Sequence, residues 1–85
     1  MESYKIVIKR SAAKEIEKIP KAFRRKIVSR IQELSKEPRP SGVKKLSGEE
    51  KYRIRQGDYR ILYRVEDAIV TVTVVKIGNR RDVYR

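Results

Sequence analysis

The sequence predicts a single α+β domain over residues 1–85, with element order βααβββ: an N-terminal strand and a helical hairpin packed on one face of an antiparallel sheet. Three observations predict it. Apolar residues recur at helical spacing between Ala12 and Leu34; β-branched and aromatic residues dominate from Val43 onward; and Glu37-Pro38-Arg39-Pro40-Ser41-Gly42, a loop by its proline and glycine content, separates the two regimes.

Tyr4, Ile6 and Ile8 alternate with Lys5, Val7 and Lys9, the period of a half-buried strand. Ser11 offers a helix N-cap, and Ala12, Ile16 and Ile19 follow on one helical face. Pro20 ends that helix, because proline disfavours the helical conformation in the residue before it. A second helix starts near Lys21 with Phe23, Ile27, Ile31 and Leu34 on one stripe and Arg24, Arg25, Arg30 and Lys36 on the other face. So short a connection predicts an antiparallel helical hairpin. Beyond the loop, Val43 to Leu46 and Tyr52 to Arg55 read as extended, separated by the turn-like Ser47-Gly48-Glu49-Glu50. Tyr59 to Glu66 and Ile69 to Ile77 are the clearest strands. The last is apolar on both faces, which predicts a central place in the sheet.

Composition narrows the function. The chain has 23 Lys and Arg against 11 Asp and Glu, a formal net charge of +12. Both halves share it: +7 over residues 1–42 (12 basic, 5 acidic) and +5 over residues 43–85 (11 basic, 6 acidic). The charge therefore belongs to the folded body, and it speaks of partners rather than of fold. Nucleic acid is the leading partner class and an acidic protein the second. Without cysteine or histidine there is neither a disulfide nor a preferred zinc ligand, so no metal and no cofactor are expected. The longest apolar-rich run, Ala68 to Val75, is far short of a membrane span, and Met1-Glu2-Ser3-Tyr4-Lys5 lacks the apolar stretch of a signal peptide. A cytoplasmic location without membrane contact is the expectation.

The most informative segment runs from Tyr52 to Tyr63. Gly57-Asp58 fits the centre of a two-residue hairpin turn, since glycine readily takes positive φ. That register sets Arg55 opposite Arg60, Ile54 opposite Ile61, Arg53 opposite Leu62 and Tyr52 opposite Tyr63. One face then carries Tyr52, Ile54, Ile61 and Tyr63, the core side. The other carries Arg53, Arg55, Arg60 and Leu62. Two arginines directly opposed repel. Such a face is either a solvated exterior or a cradle for phosphate, to which arginine offers a planar fork of donors and a permanent charge. The C-terminal Arg80, Arg81 and Tyr84 add charge and an aromatic ring. That ring either stacks on a base of single-stranded RNA or packs the chain end against the sheet.

These pieces together resemble a known family. Lys44-Lys45-Leu46, Tyr52-Arg53-Ile54-Arg55, Gly57-Asp58-Tyr59-Arg60-Ile61-Leu62-Tyr63, Ile77-Gly78-Asn79-Arg80 and Val83-Tyr84 are similar, in order and spacing, to the RelE/ParE toxin superfamily, and Ser11 to Pro20 to its first helix. The closing Gly-x-Arg and Val-Tyr look like the RelE branch. The resemblance implies the RelE-like microbial RNase fold and an endoribonuclease that cuts mRNA in the A site of the small ribosomal subunit. A RelB-like antitoxin would block it. It implies Arg60, Arg80 and Tyr84 as catalytic residues and Lys44, Lys45, Arg53, Arg55 and Arg81 as RNA-binding ones. The other branch implies a gyrase-inhibiting toxin without nuclease activity. Asn79 stands where several relatives have histidine, and Arg53 and Arg55 where the best-known pattern has lysines. No residue is an ordinary general base, so the proton acceptor is Tyr84 with a lowered pKa, Glu49 or Glu50, or the ribosome itself.

Overall fold

The computed structural model describes residues 3–46 and 51–79. Strand β1 (Lys5–Ile8) leads into helices α1 (Arg10–Glu17) and α2 (Lys21–Glu33). Then come the two-residue strand β2 (Lys44–Lys45), β3 (Lys51–Gln56), β4 (Tyr59–Glu66), a single 3-10 turn at Asp67–Ile69, and β5 (Thr71–Asn79). The strands form one sheet in the order β1-β5-β4-β3-β2. The expected α+β class holds; the extended segment read at Val43 to Leu46 forms only the two-residue β2, and the sheet is mixed rather than antiparallel throughout. Strand β1 runs parallel to β5, Lys5 beside Thr71 and Ile8 beside Val74, while all other pairs are antiparallel. The helical pair carries the chain from β1 at one edge of the sheet to β2 at the other, and β5 comes back beside β1 after β2, β3 and β4. Strand β5 is internal to the sheet, as its apolar character predicts.

Both helices contribute to one core. Ala12, Ile16 and Ile19 from the first helical segment and Ile27, Ile31 and Leu34 from the second pack on Tyr52, Ile54, Ile61, Tyr63, Val65, Val72, Val74 and Ile77 of the sheet. The stripe expected on α2 loses one member: Phe23 is 51% exposed and lies beside the ring of Tyr59 instead, centroids 6.1 Å apart. Nor does Ser11 cap α1. The helix starts two residues earlier with Lys9 at the N-cap and no side-chain hydrogen bond there, so Ser11 lies inside its first turn. Pro20 is the N-cap of α2, and α1 has already ended at Lys18. Arg24 finishes that junction by donating to the carbonyls of Glu17 (3.0 Å) and Ile19 (3.1 Å), where a cation suits the negative end of α1.

Strand β5 departs from simple alternation. Ile61 pairs with Ile77 and Leu62 with Lys76, but Tyr63 pairs with Val74, so Val75 is an extra residue in the ladder. A bulge of this kind shifts the side-chain parity by one. It lets Ile77 and the pair Val72 and Val74 face the same core, and all three are buried. The strand begins at Thr71 rather than Ile69, which is 62% exposed in the 3-10 turn. Val70 closes that turn with φ +48°, an uncommon conformation for a β-branched residue. Past the end of β1, the open edge of β5 is covered by α1: Glu15 accepts a hydrogen bond from the Ile77 N–H at 3.2 Å.

Candidate functional site

The hairpin between β3 and β4 has the register that its turn chemistry predicts. Gln56 pairs with Tyr59 across Gly57-Asp58, and Arg55 pairs with Arg60, Ile54 with Ile61, Arg53 with Leu62 and Tyr52 with Tyr63. Gly57 takes φ +62°, which suits the first central position of a type II′ turn. The side chains separate as expected. Tyr52, Ile54, Ile61 and Tyr63 are at most 5% exposed under the helices, and the arginines take the far face.

The arginines are not equivalent. Arg60 is 1% exposed, the one charged side chain buried among the described residues. Its neighbours in register are Arg55 on β3 and Gly78 on β5, and the glycine leaves the strand beside Arg60 without a side chain. Arg55 is exposed and Arg53 half-buried. Lys44 pairs with Arg53 across β2 and β3, which extends the cationic face to the sheet edge. Lys45 pairs with Tyr52 and so belongs to the opposite face from Lys44 and Arg53. Arg80, Arg81 and Tyr84 lie outside the described residues, as do Glu49 and Glu50.

A cleft of about 360 Å³ opens at this edge, lined by Arg30, Gly42, Lys44, Arg53 and Arg55. Arg30 and Gly42 were not among the residues expected at the site. Arg30 was legible only as one of several cations on α2, yet it lies three residues after Ile27 and four before Leu34. That spacing sets it at the border of the buried stripe. A second, much smaller crevice of about 20 Å³ is lined by Arg55, Gly57, Asp58, Tyr59 and Arg60. Arg55 lines both, so the buried Arg60 and the open cleft adjoin one another. Among the described residues Lys44, Arg53 and Arg55 make no ion pair, and Arg30 has only Glu33, 3.3 Å away on the same helix.

One wall of the cleft is the α2–β2 loop, which ends at Gly42 with φ +87°. A polar clamp holds that loop. Arg39 donates to both carboxylate oxygens of Asp67 (2.8 and 3.3 Å) and to the Tyr52 hydroxyl (2.9 Å), and Tyr4 donates to Asp67 at 2.6 Å. The bonds from Arg39 and then Tyr4 hold the Asp67 carboxyl below the usual carboxylate range; the same bond to Asp67 raises Tyr4. Beneath the loop, the buried Tyr63 hydroxyl donates to the Pro38 carbonyl at 2.7 Å. Burial, followed by the neighbouring Tyr52, pushes the Tyr63 hydroxyl well above the ordinary tyrosine pKa.

The described residues hold no group of three or more His, Cys, Asp or Glu placed to bind a metal ion, and no helix long and apolar enough to cross a membrane. Chemically, the arrangement is able to hold multivalent anions. It presents guanidinium donors at two adjoining depths and little that can move a proton.

The family described as ParE toxin of type II toxin-antitoxin system, parDE, matches residues 6–84. Toxin RelG of Mycobacterium tuberculosis is 30% identical over 86 residues, covering 96% of this chain and 97% of that protein. Among solved structures, the archaeal RelE–RelB complex from Pyrococcus horikoshii has a chain with TM-score 0.84 and 31% identity, covering 92% of this chain and 96% of that one. The isolated Escherichia coli RelE toxin superposes with TM-score 0.81 at 30% identity, covering 96% of this chain and 92% of that one.

Proposed function

Since the chain belongs to the RelE/ParE superfamily of toxins from type II toxin–antitoxin systems, we propose that it is a ribosome-dependent endoribonuclease that cleaves mRNA in the ribosomal A site and is neutralised by a RelB-like antitoxin. The observation that carries this reading is the buried Arg60. Burying a guanidinium costs several kcal/mol even when it is paired, and an apolar residue at such a position often leaves a fold as stable or more so. A charge retained at that depth, beside exposed cations, fits phosphate chemistry better than architecture.

The reaction is attack of an RNA 2′-OH on the adjacent 3′ phosphate. It breaks the bond to the 5′ oxygen and leaves a 2′,3′-cyclic phosphate and a free 5′-OH. Arg60 holds the scissile phosphate and neutralises the charge that grows on its oxygens, with Arg53 and Arg55 positioning the flanking backbone. Arg80 serves the leaving oxygen, and Tyr84 stacks on or orients a base. The ribosome completes the proton transfers, because arginine stays protonated at cellular pH and the chain has no histidine. Primer extension in a translation extract tests this. Cleavage of translated mRNA with little cleavage of free RNA, lost in Arg60→Ala and Arg80→Ala, is the expected result. Equal rates with and without ribosomes would sink it.

A second reading has a specific observation behind it, since the matching family is described by the ParE toxin. In that reading the chain binds and inhibits DNA gyrase without chemistry of its own. A supercoiling assay run beside the primer extension separates the two.

A further inference from the structure

We propose that the cleft between α2 and the β2–β3 edge is a second phosphate subsite, with Arg30 as one of its ligands. It takes a backbone phosphate of single-stranded RNA adjoining, and distinct from, the phosphate held at Arg60. This rests on the RNA-cleaving reading above and extends it to a residue outside the hairpin.

Cations converge on this cleft from separate elements: Arg30 from α2, Lys44 from β2, Arg53 and Arg55 from β3. Four like charges around one concavity repel each other, and among the described residues only Arg30 of these four makes an ion pair. A multivalent anion relieves that repulsion. The lining decides which anion. Among the described residues it is wholly basic apart from Gly42, with no apolar side chain to anchor a peptide, and peptide interfaces draw most of their affinity from such anchors. A phosphate needs no apolar anchor and matches the guanidinium fork. Arg55 lines both the cleft and the crevice of Arg60, so the two subsites are contiguous and a single strand can occupy both.

Glu33 supplies a test of sign. Its carboxylate lies 3.3 Å from Arg30 and is largely exposed, so it competes with the incoming phosphate for the same guanidinium. Removing it frees Arg30 and tightens RNA binding, whereas a merely structural Arg30–Glu33 pair predicts no gain from that change.

The experiment uses the whole purified chain and a 2′-O-methyl hexanucleotide, which cannot be cleaved, with each phosphate neutralised in turn as a methylphosphonate. Arg30→Gln is expected to weaken binding about five- to tenfold and to lower the slope of log affinity against log salt by roughly 0.7, one phosphate's worth on a single strand. One methylphosphonate position should weaken the wild type and have no further effect in Arg30→Gln, the signature of a coupled pair. A different position should couple to Arg60→Ala. Arg30→Lys should restore most of the salt slope, and Glu33→Gln should tighten binding. RNA binding that Arg60→Ala weakens but Arg30→Gln does not overturns the subsite alone, as does coupling of both residues to one phosphate. Loss in Arg30→Gln of binding to an oligoglutamate peptide but not to RNA makes the cleft a peptide site and overturns the proposal. A wild-type chain that binds no hexanucleotide overturns the subsite alone, since the ribosome-dependent nuclease reading stands or falls on the primer extension.

Discussion

Replacing Tyr63 by phenylalanine isolates one hydrogen bond that ties the loop beside the cleft to the sheet. The Tyr63 side chain is fully buried, and its hydroxyl donates to the Pro38 carbonyl at 2.7 Å. The substitution keeps the ring and its stacking on Tyr52 at 5.8 Å, so almost no packing is lost. What remains is a buried carbonyl without its donor, which costs about 1–3 kcal/mol. For a domain of this size each kcal/mol lowers Tm by about 4–8 °C, and the total stability is only about 5–15 kcal/mol. Urea denaturation is the assay: the midpoint should fall while the slope stays constant, showing a loss of stability without a change in surface exposed. Tyr4→Phe is the control. It removes a hydrogen bond of similar length to Asp67 at the exposed surface and should change little. The pH dependence gives an independent check. Burial raises the Tyr63 pKa in the folded state, so its contribution is complete below the unfolded tyrosine pKa of about 10 and declines as pH rises through the native value. Wild type should therefore lose stability above about pH 10 more steeply than Tyr63→Phe. A loss below about 0.5 kcal/mol, or one equal to that of Tyr4→Phe, would refute the reasoning, because it would mean that water replaces the missing donor.

Three further outcomes follow from the same geometry. Val70→Asn should raise stability by about 1 kcal/mol in thermal unfolding, since asparagine tolerates the left-handed conformation held here at φ +48° better than valine does. Gly57→Ala places a side chain where φ is +62° and should cost about 1–2 kcal/mol, with RNA affinity falling as the turn that sets Arg55 opposite Arg60 distorts. Asp67→Asn should flatten the acid limb of the stability profile. The lowered Asp67 pKa contributes stability above the usual carboxylate range that is lost as pH falls through the native value, and the neutral variant has nothing to lose there.

The hairpin was legible because its determinants are local. Gly57 sets the turn, the turn sets the register, and the register sorts Arg53, Arg55 and Arg60 from Tyr52, Ile54, Ile61 and Tyr63. Lys44 and Lys45 were harder. They are adjacent in sequence, but the β2–β3 pairing sends them to opposite faces, and only Lys44 joins the cleft. Phe23 fits a helical stripe with Ile27 and Ile31, yet it lies beside the Tyr59 ring at the start of β4 and stays half exposed. Spacing within a helix reports which residues share a face and not how far the opposing surface reaches.

The sequence alone determined the net charge, the α-then-β order and a cationic sheet face, because charge, periodicity and turn chemistry reside in neighbouring residues. Three features were decided only by the tertiary structure. Strand β1 pairs in parallel with β5 from the far end of the chain, the extra residue Val75 turns Ile77 onto the core already filled by Val72 and Val74, and α2 brings Arg30 to the edge of the arginine face. Each depends on contacts between segments distant in the chain, whose alignment is set by how the whole core packs, and no local pattern encodes that alignment.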